Sequence, residues 1–262
     1  MPDFTLQSLY RAMVFPELQT IASLLRGMPP GDSHQQRLEG FYARQAAGYD
    51  NFRARLLAGR GLLVDELAPA PGESLIELGA GTGCNVAWYE EQLDALDQVT
   101  LVDLCPSLLS LARKRWANRP NVVCVEADAC SWQPSEPADI VMLSYSLSMI
   151  PDWISALQNA HRMLKPGGRI GVCDFHVGDG SSRGVPGHGW LSRWFWPRWF
   201  SHDGVKLDPA HLPTLRRSFT GVAERVAWNS MPWMPGVRVS WYLFVGIKEL
   251  AITDIPPDDS LR

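Results

Sequence analysis

From about residue 70 the apolar positions fall into short, nearly unbroken runs separated by stretches of helical spacing. The runs at 74–78 (SLIEL), 99–103 (VTLVD), 121–126 (NVVCVE), 138–144 (ADIVMLS) and 169–175 (RIGVCDF) predict strands. Their near-continuous Val, Ile and Leu content suits strands buried on both faces, as parallel sheets require. Helices are predicted between them at 84–93, 106–118 and 152–164. Repeated alternation of strand and helix makes a doubly wound α/β sheet the natural architecture. A helical stretch at 208–218 then leads to two further strands, 221–228 and 237–247, joined by the turn NSMPWMPG as an antiparallel edge pair. Upstream, residues 4–26 carry apolar positions at roughly helical spacing, broken at Pro16, and GMPPGDS at 27–33 is a turn-rich linker. The chain therefore divides into a helical cap and linker (1–40), a main domain (41–250) and a polar, Pro-rich, loose tail (251–262).

Composition narrows the class. A chain of 262 residues buries a full core as one large domain with a cap. Its 24 Lys and Arg against 28 Asp and Glu give a net charge of −4, which weighs against a nucleic-acid binder driven by bulk positive charge. No run approaches the roughly 18–20 apolar residues that span a bilayer. Asp3, Arg11, Pro16 and Glu17 interrupt the start where a signal peptide would be apolar. Five cysteines without C-x-x-C spacing argue against a zinc site or a disulfide framework and for a reducing, cytoplasmic setting.

The first strand runs into Glu77-Leu78-Gly79-Ala80-Gly81-Thr82-Gly83-Cys84-Asn85. Glycines between a strand and a helix let the backbone turn sharply and approach a ligand closely. The spacing G-x-G-x-G differs from the G-x-G-x-x-G of nicotinamide enzymes, and no basic residue stands nearby to meet a pyrophosphate. Asp103 ends the second strand, where a carboxylate can accept both hydroxyls of an adenosine ribose. Asp128 follows the third, within reach of an adenine amino group.

On these residues the chain resembles the class I S-adenosylmethionine-dependent methyltransferases, over about residues 40–247. ELGAGTGCN looks like their first motif, Asp103 like the ribose acid, Asp128-Ala129 like the adenine-side pair, and LKPGGRIGVCDF (164–175) like a later strand motif. The resemblance implies a Rossmann-like, seven-stranded sheet with the last strand antiparallel, and S-adenosylmethionine as cofactor. It also implies that the glycine loop, with Glu77 and Asn85 of the motif, lies along the methionine part. A helix before the first strand folds over the cofactor in this family. That suggests Tyr49 against the sulfonium or acceptor and Arg53 or Arg60 on the methionine carboxylate; arginines on a solvated helix face are the alternative.

Methyl transfer from a sulfonium needs the acceptor lone pair within about 3 Å of the methyl carbon and water kept away. An amine acceptor must also lose a proton, for which a nearby Tyr, His or Asp is useful. The fourth strand leads into SYSLSMIPDW (144–153), which lacks the N/D-P-P-Y/F signature of amide- and base-methylating enzymes. Tyr145 is the first choice on the acceptor side, against the alternative of a packed strand-end tyrosine. Asp174 and His176, at the end of the fifth strand, come second.

Four of eleven tryptophans fall within GHGWLSRWFWPRWF (187–200), interleaved with Arg193 and Arg198. Such a stretch suits a lipid-headgroup boundary, a cation–π cage for a methylated ammonium, or a lid (about 187–205) packed on the sheet. This segment, with YDNFRARLLAGR, LSYSLSMIPDW and MPWMPGVRVSWYLFVG, is similar to the methyltransferase part of betaine-lipid synthases. Those enzymes trimethylate the homoserine amine of diacylglyceryl-homoserine. The resemblance implies a lipid-headgroup amine as acceptor, a separate aminocarboxypropyl transferase as partner and at most peripheral membrane contact. The rivals are a methyltransferase for a small soluble amino acid or specialised metabolite, and a cofactor-binding subunit without activity of its own.

Overall fold

Seven strands form one sheet in the order β3-β2-β1-β4-β5-β7-β6. The computed structural model describes residues 27–43, 50, 56–177, 204–230 and 238–249. The strands are β1 (Ser74–Leu78), β2 (Gln98–Asp103), β3 (Val122–Glu126), β4 (Ala138–Ser144), β5 (Leu164–Phe175), β6 (Thr220–Ser230) and β7 (Arg238–Ile247). β1 to β5 pair in parallel, and β7 enters antiparallel between β5 and β6. The last strand thus runs against its neighbours, as the resemblance implies.

Alternation along each strand divides the core between the two faces. Leu75, Leu101, Ile140, Cys173 and Leu243 pack on one side with Leu63, Val64 and Leu67 of α2 (Arg60–Leu67) and with Leu109 and Ala112 of α4 (Pro106–Arg115). Ile76, Leu78, Val141, Val172 and Phe244 pack on the other with α5 (Trp153–Met163) and α6 (His211–Ser218). α5 carries the strongest apolar stripe, burying Trp153, Ala156, Leu157, Ala160 and Met163.

Four expectations change in detail. The helix expected at 84–93 is a 3-10 helix, Cys84–Tyr89, followed by one α-helical turn, α3 (Glu90–Leu93). The tighter winding follows Gly83, at φ 65°, and brings the Asn85 amide onto Glu77 at 2.6 Å. The helix expected at 106–118 stops at Arg115, where the Trp116 indole turns back to donate to Gly83 O at 2.9 Å. β3 is not buried on both faces: it lies at the sheet's edge and leaves Val123 40% exposed. The 27–33 linker ends at Ser33, which caps α1 (His34–Tyr42), a helix that crosses the expected boundary at residue 40. Residues 4–26, the Trp-rich stretch and the tail at 251–262 lie outside the described residues.

Candidate cofactor and acceptor site

The turn after β1 is built around backbone that only glycine adopts without strain. Gly79, Gly81 and Gly83 have φ of 72°, 57° and 65°. A Cβ on Gly79 would sit 2.3 Å from the Ser146 Cβ, so the loop closes directly against the strand-end turn after β4. Gly79 N–H and Ala80 N–H donate to Val102 O at 2.8 and 3.1 Å. Gly81 N–H donates to Asp103 Oδ2 at 2.7 Å, and Cys105 N–H to Asp103 Oδ1 at 2.8 Å. From outside, Arg115 donates to Thr82 O at 2.9 Å and pairs with Asp50, whose other oxygen accepts from the Thr82 hydroxyl at 2.6 Å.

Beside this loop, at the carboxyl ends of β1, β2 and β4 and under α1, lies a cavity of about 240 Å³. Its floor includes Gly79, Gly81, Val102 and Asp103, one end carries Asp128, Ala129 and Cys130, and Tyr145, Ser146 and Met149 to Asp152 contribute a wall. Outside the carboxyl ends, where strand order reverses, is where open α/β sheets bind ligands. The charged lining groups are Asp103, Asp128 and Asp152, with His34 the one basic side chain and no Lys or Arg among the described lining residues.

Of the residues expected to hold a cofactor, Gly79, Gly81, Asp103, Asp128 and Ala129 line this cavity together. Glu77, Gly83, Asn85 and Arg60 are not among its described lining residues; Glu77, Asn85 and Arg60 form a buried polar group next to the glycine loop. Glu77 is fully buried, with Oε1 on the Asn85 amide and Oε2 without a partner among the described residues. Burial raises its pKa to about 8, against the opposing pull of Asn85 and Arg60. Arg60 donates to Asn85 Oδ1 at 3.3 Å, Cys84 Sγ at 3.4 Å and Leu57 O at 3.3 Å.

Tyr145 lines the cavity with its backbone at φ 54°, a strained conformation for an aromatic residue. Strain of that kind collects at functional sites. It is held by its N–H on Cys173 O at 2.7 Å, its hydroxyl donating to Ala58 O at 2.8 Å and an edge contact with Phe175 at 4.9 Å. Burial keeps its pKa well above the ordinary value, so it stays a neutral phenol. His176 is not among the described lining residues; its backbone continues the β5–β7 ladder to Ser240. Asp174 is fully buried and accepts from Ser148 N–H at 2.9 Å and the Ser148 hydroxyl at 2.7 Å, fixing the turn that carries Tyr145 and Ser146. Tyr49 and Arg53 lie outside the described residues.

α1 was not anticipated: His34, Leu38 and Tyr42 all face the cavity. Its signal is present as Ser33 before Leu38, Phe41 and Tyr42, a cap followed by apolar positions at helical spacing.

Comparison with known proteins agrees with this geometry. Residues 76–172 match the family described as Methyltransferase domain. A ubiquinone/menaquinone biosynthesis C-methyltransferase from Shewanella sediminis is 29% identical over 116 residues, 43% of this chain and 46% of that one. One from Cereibacter sphaeroides is 28% identical over 160 residues, 57% and 63% of the two chains. The chain thus spans about half to three-fifths of the curated relatives it matches. Among solved structures, the N-methyltransferase NodS of Bradyrhizobium japonicum bound to S-adenosylhomocysteine superposes with TM-score 0.60 at 17% identity, over 83% of this chain and 99% of that one. A Haemonchus contortus phosphoethanolamine N-methyltransferase superposes with TM-score 0.66 at 17% identity, over 84% and 61%. The matched stretch runs from within β1 into β5 and takes in the glycine loop, Asp103, Asp128 and Tyr145, and the fold is that of class I methyltransferases, which use S-adenosylmethionine.

The residues present fit that cofactor. The glycine turn leaves no room for side chains at Gly79, Asp103 stands at the end of β2, and the orphaned Glu77 oxygen gives a buried polar group close to the loop.

Proposed function

We propose that this chain is an N-methyltransferase that moves a methyl group from S-adenosylmethionine to an amine, with the homoserine headgroup of a betaine lipid as first candidate acceptor. The observation that carries the choice of an amine is the charge of the cavity: three carboxylates and no Lys or Arg among its described lining residues. Such a lining attracts the cofactor's sulfonium and a protonatable amine. Bound cofactor supplies an electrophilic methyl on a sulfonium. Asp103 would take the ribose hydroxyls and Asp128 the adenine amino group, with Glu77, Asn85 and Arg60 toward the amino-acid end.

Tyr145 is assigned the acceptor-positioning role. Its hydroxyl proton is given to Ala58 O, which leaves the oxygen lone pairs to accept from an amine N–H. As a neutral phenol it orients the acceptor and does not act as the base. Tyr49 and His176 are the next candidates on that side. The turn fixed by Asp174 holds Tyr145 in place, which favours in-line attack through positioning.

The named curated relatives methylate carbon, so the acceptor atom is what the experiment must decide. Purified protein is given methyl-labelled S-adenosylmethionine with diacylglyceryl-homoserine in micelles, a pool of soluble amino acids, or a demethylated quinol. Label on nitrogen in the chloroform phase supports the betaine-lipid reading and a separate aminocarboxypropyl transferase upstream. Nitrogen label confined to the aqueous phase replaces the lipid with a small soluble amine. Label on the quinol alone overturns N-methylation. Tyr145→Phe is expected to slow transfer at least tenfold with cofactor affinity kept; wild-type turnover in that variant removes Tyr145 from the mechanism.

A further inference from the structure

We propose that His34 reads the nucleobase of the cofactor, making α1 the element that sets how strictly adenine is required. The inference rests on the methyltransferase reading above. It starts from how α1 lies on the cavity. His34, its first residue, stands at the end that holds Asp128, and the two side chains are close enough to interact electrostatically. Leu38 packs in a cluster with Cys105 and Leu108 beyond β2. Tyr42, at the helix's other end, reaches Met149, Oη to Sδ 4.0 Å, on the turn after Tyr145. The eight steps from residue 34 to 42 cover about 12 Å, so the helix covers the cavity lengthwise. His34 therefore belongs to the Asp128 end and Tyr42 to the Tyr145 end.

The turn that carries His34 is held in place. Ser33 Oγ accepts from Gln36 N–H at 3.2 Å and caps the first turn. Gln35 Nε2 donates to Glu126 Oε1 at 3.0 Å, tying that turn to the end of β3. Glu39 Oε2 accepts from Ser107 N–H at 3.1 Å and from Cys105 Sγ at 3.3 Å, tying the next turn to the start of α4. A helix anchored at both turns does not have to be ordered on binding, which favours a recognition group placed on it.

The chemistry of the pair matches one edge of adenine. Asp128 Oδ1 accepts from Cys130 N–H at 2.9 Å, which orients the carboxylate and leaves it acceptor capacity for an amino group. A neutral imidazole offers one donor and one acceptor, so its N–H can satisfy a ring nitrogen beside that amino group. Burial, assisted by Arg37 and Lys206, lowers the His34 pKa against the pull of Asp128, so the ring is neutral at physiological pH. Asp152, whose carbonyl accepts from Cys130 Sγ at 3.5 Å, lines the same end.

Calorimetry with two ligands tests this: S-adenosylhomocysteine, and S-ribosylhomocysteine, which is the same molecule without its base. His34→Ala is expected to bind S-adenosylhomocysteine about five- to tenfold more weakly, the loss of one hydrogen bond, and S-ribosylhomocysteine as wild type does. His34→Gln, which keeps a donor and an acceptor, is expected to recover most of the loss. Equal affinity of wild type and His34→Ala for S-adenosylhomocysteine overturns the assignment. So does a parallel loss for both ligands, which would make His34 a structural part of α1. Wild-type protein that binds neither ligand removes the methyltransferase reading itself, and this inference with it.

Discussion

Glu77 carries a conflict that the surrounding fold leaves open. One of its oxygens meets the Asn85 amide and the other has no partner among the described residues, in a position fully removed from water. Burial moves its pKa from 4.5 to about 8, so the ligand-free protein keeps Glu77 protonated at neutral pH. Between those values the unfolded chain has released the proton and the folded one retains it. Glu77's contribution to stability is therefore complete below pH 4.5 and lost as pH rises through 8. The stability of wild type relative to Glu77→Gln, from urea unfolding, is expected to fall across that window; a flat difference would mean Glu77 ionises as freely as in the unfolded chain. His211 gives the opposite sign. It is 1% exposed, neither ring nitrogen has a hydrogen-bond partner among the described residues, and burial lowers its pKa from 6.5 to about 4. Its penalty appears as pH falls from 6.5 toward 4, so the stability of wild type relative to His211→Leu should rise with pH over that range. At Gly79 the constraint is steric. Gly79→Ala places a Cβ 2.3 Å from that of Ser146 at φ 72°, with an expected cost of about 2–4 kcal/mol and loss of cofactor binding.

Among the elements, α1 couples the cavity wall to the start of α4. Glu39 accepts from Ser107 N–H, one of the first amides of α4, which an N-cap side chain would otherwise satisfy. Glu39→Ala is expected to cost about 0.5–2 kcal/mol by thermal or urea unfolding and to weaken S-adenosylhomocysteine binding through a loosened α1. Unchanged unfolding in that variant would show that water replaces the carboxylate at no cost. The five parallel strands were legible because each contains a nearly pure apolar run, most of them set off by helical stretches. The β6–β7 pair was legible too, although its place beside β5 rests on the family resemblance and not on the pattern. α1 was missed because only Leu38, Phe41 and Tyr42 bury in a helix otherwise made of polar residues. The 3-10 winding at Cys84–Tyr89 follows Gly83 and carries Asn85 onto Glu77 across eight residues, which local periodicity does not register. β3 looked fully buried because edge position is a property of strand order. At the site, Gly79, Gly81, Asp103, Asp128 and Tyr145 were identified from motif and strand ends, whereas His34 lies far from them in sequence and enters only through tertiary packing.

At the scale of the whole molecule, strand order puts the glycine loop, Asp103, the Asp128 turn and Tyr145 around one cavity under α1. The acidic lining agrees with the chain's net charge of −4, and no described helix is long and apolar enough to cross a membrane. Should the acceptor prove to be a lipid, the Trp-rich sequence at 187–200 is where labelled-lipid experiments should look first. The central claim is that this cavity takes S-adenosylmethionine. Titration calorimetry of S-adenosylhomocysteine into wild type and Asp103→Ala tests it most directly. One ligand per chain is expected for wild type, with at least a hundredfold weaker binding in the variant, which loses the Gly81 anchor and, on the proposed assignment, the ribose contact. Absence of binding to wild type at millimolar ligand, or equal affinity of the two proteins, would contradict the assignment.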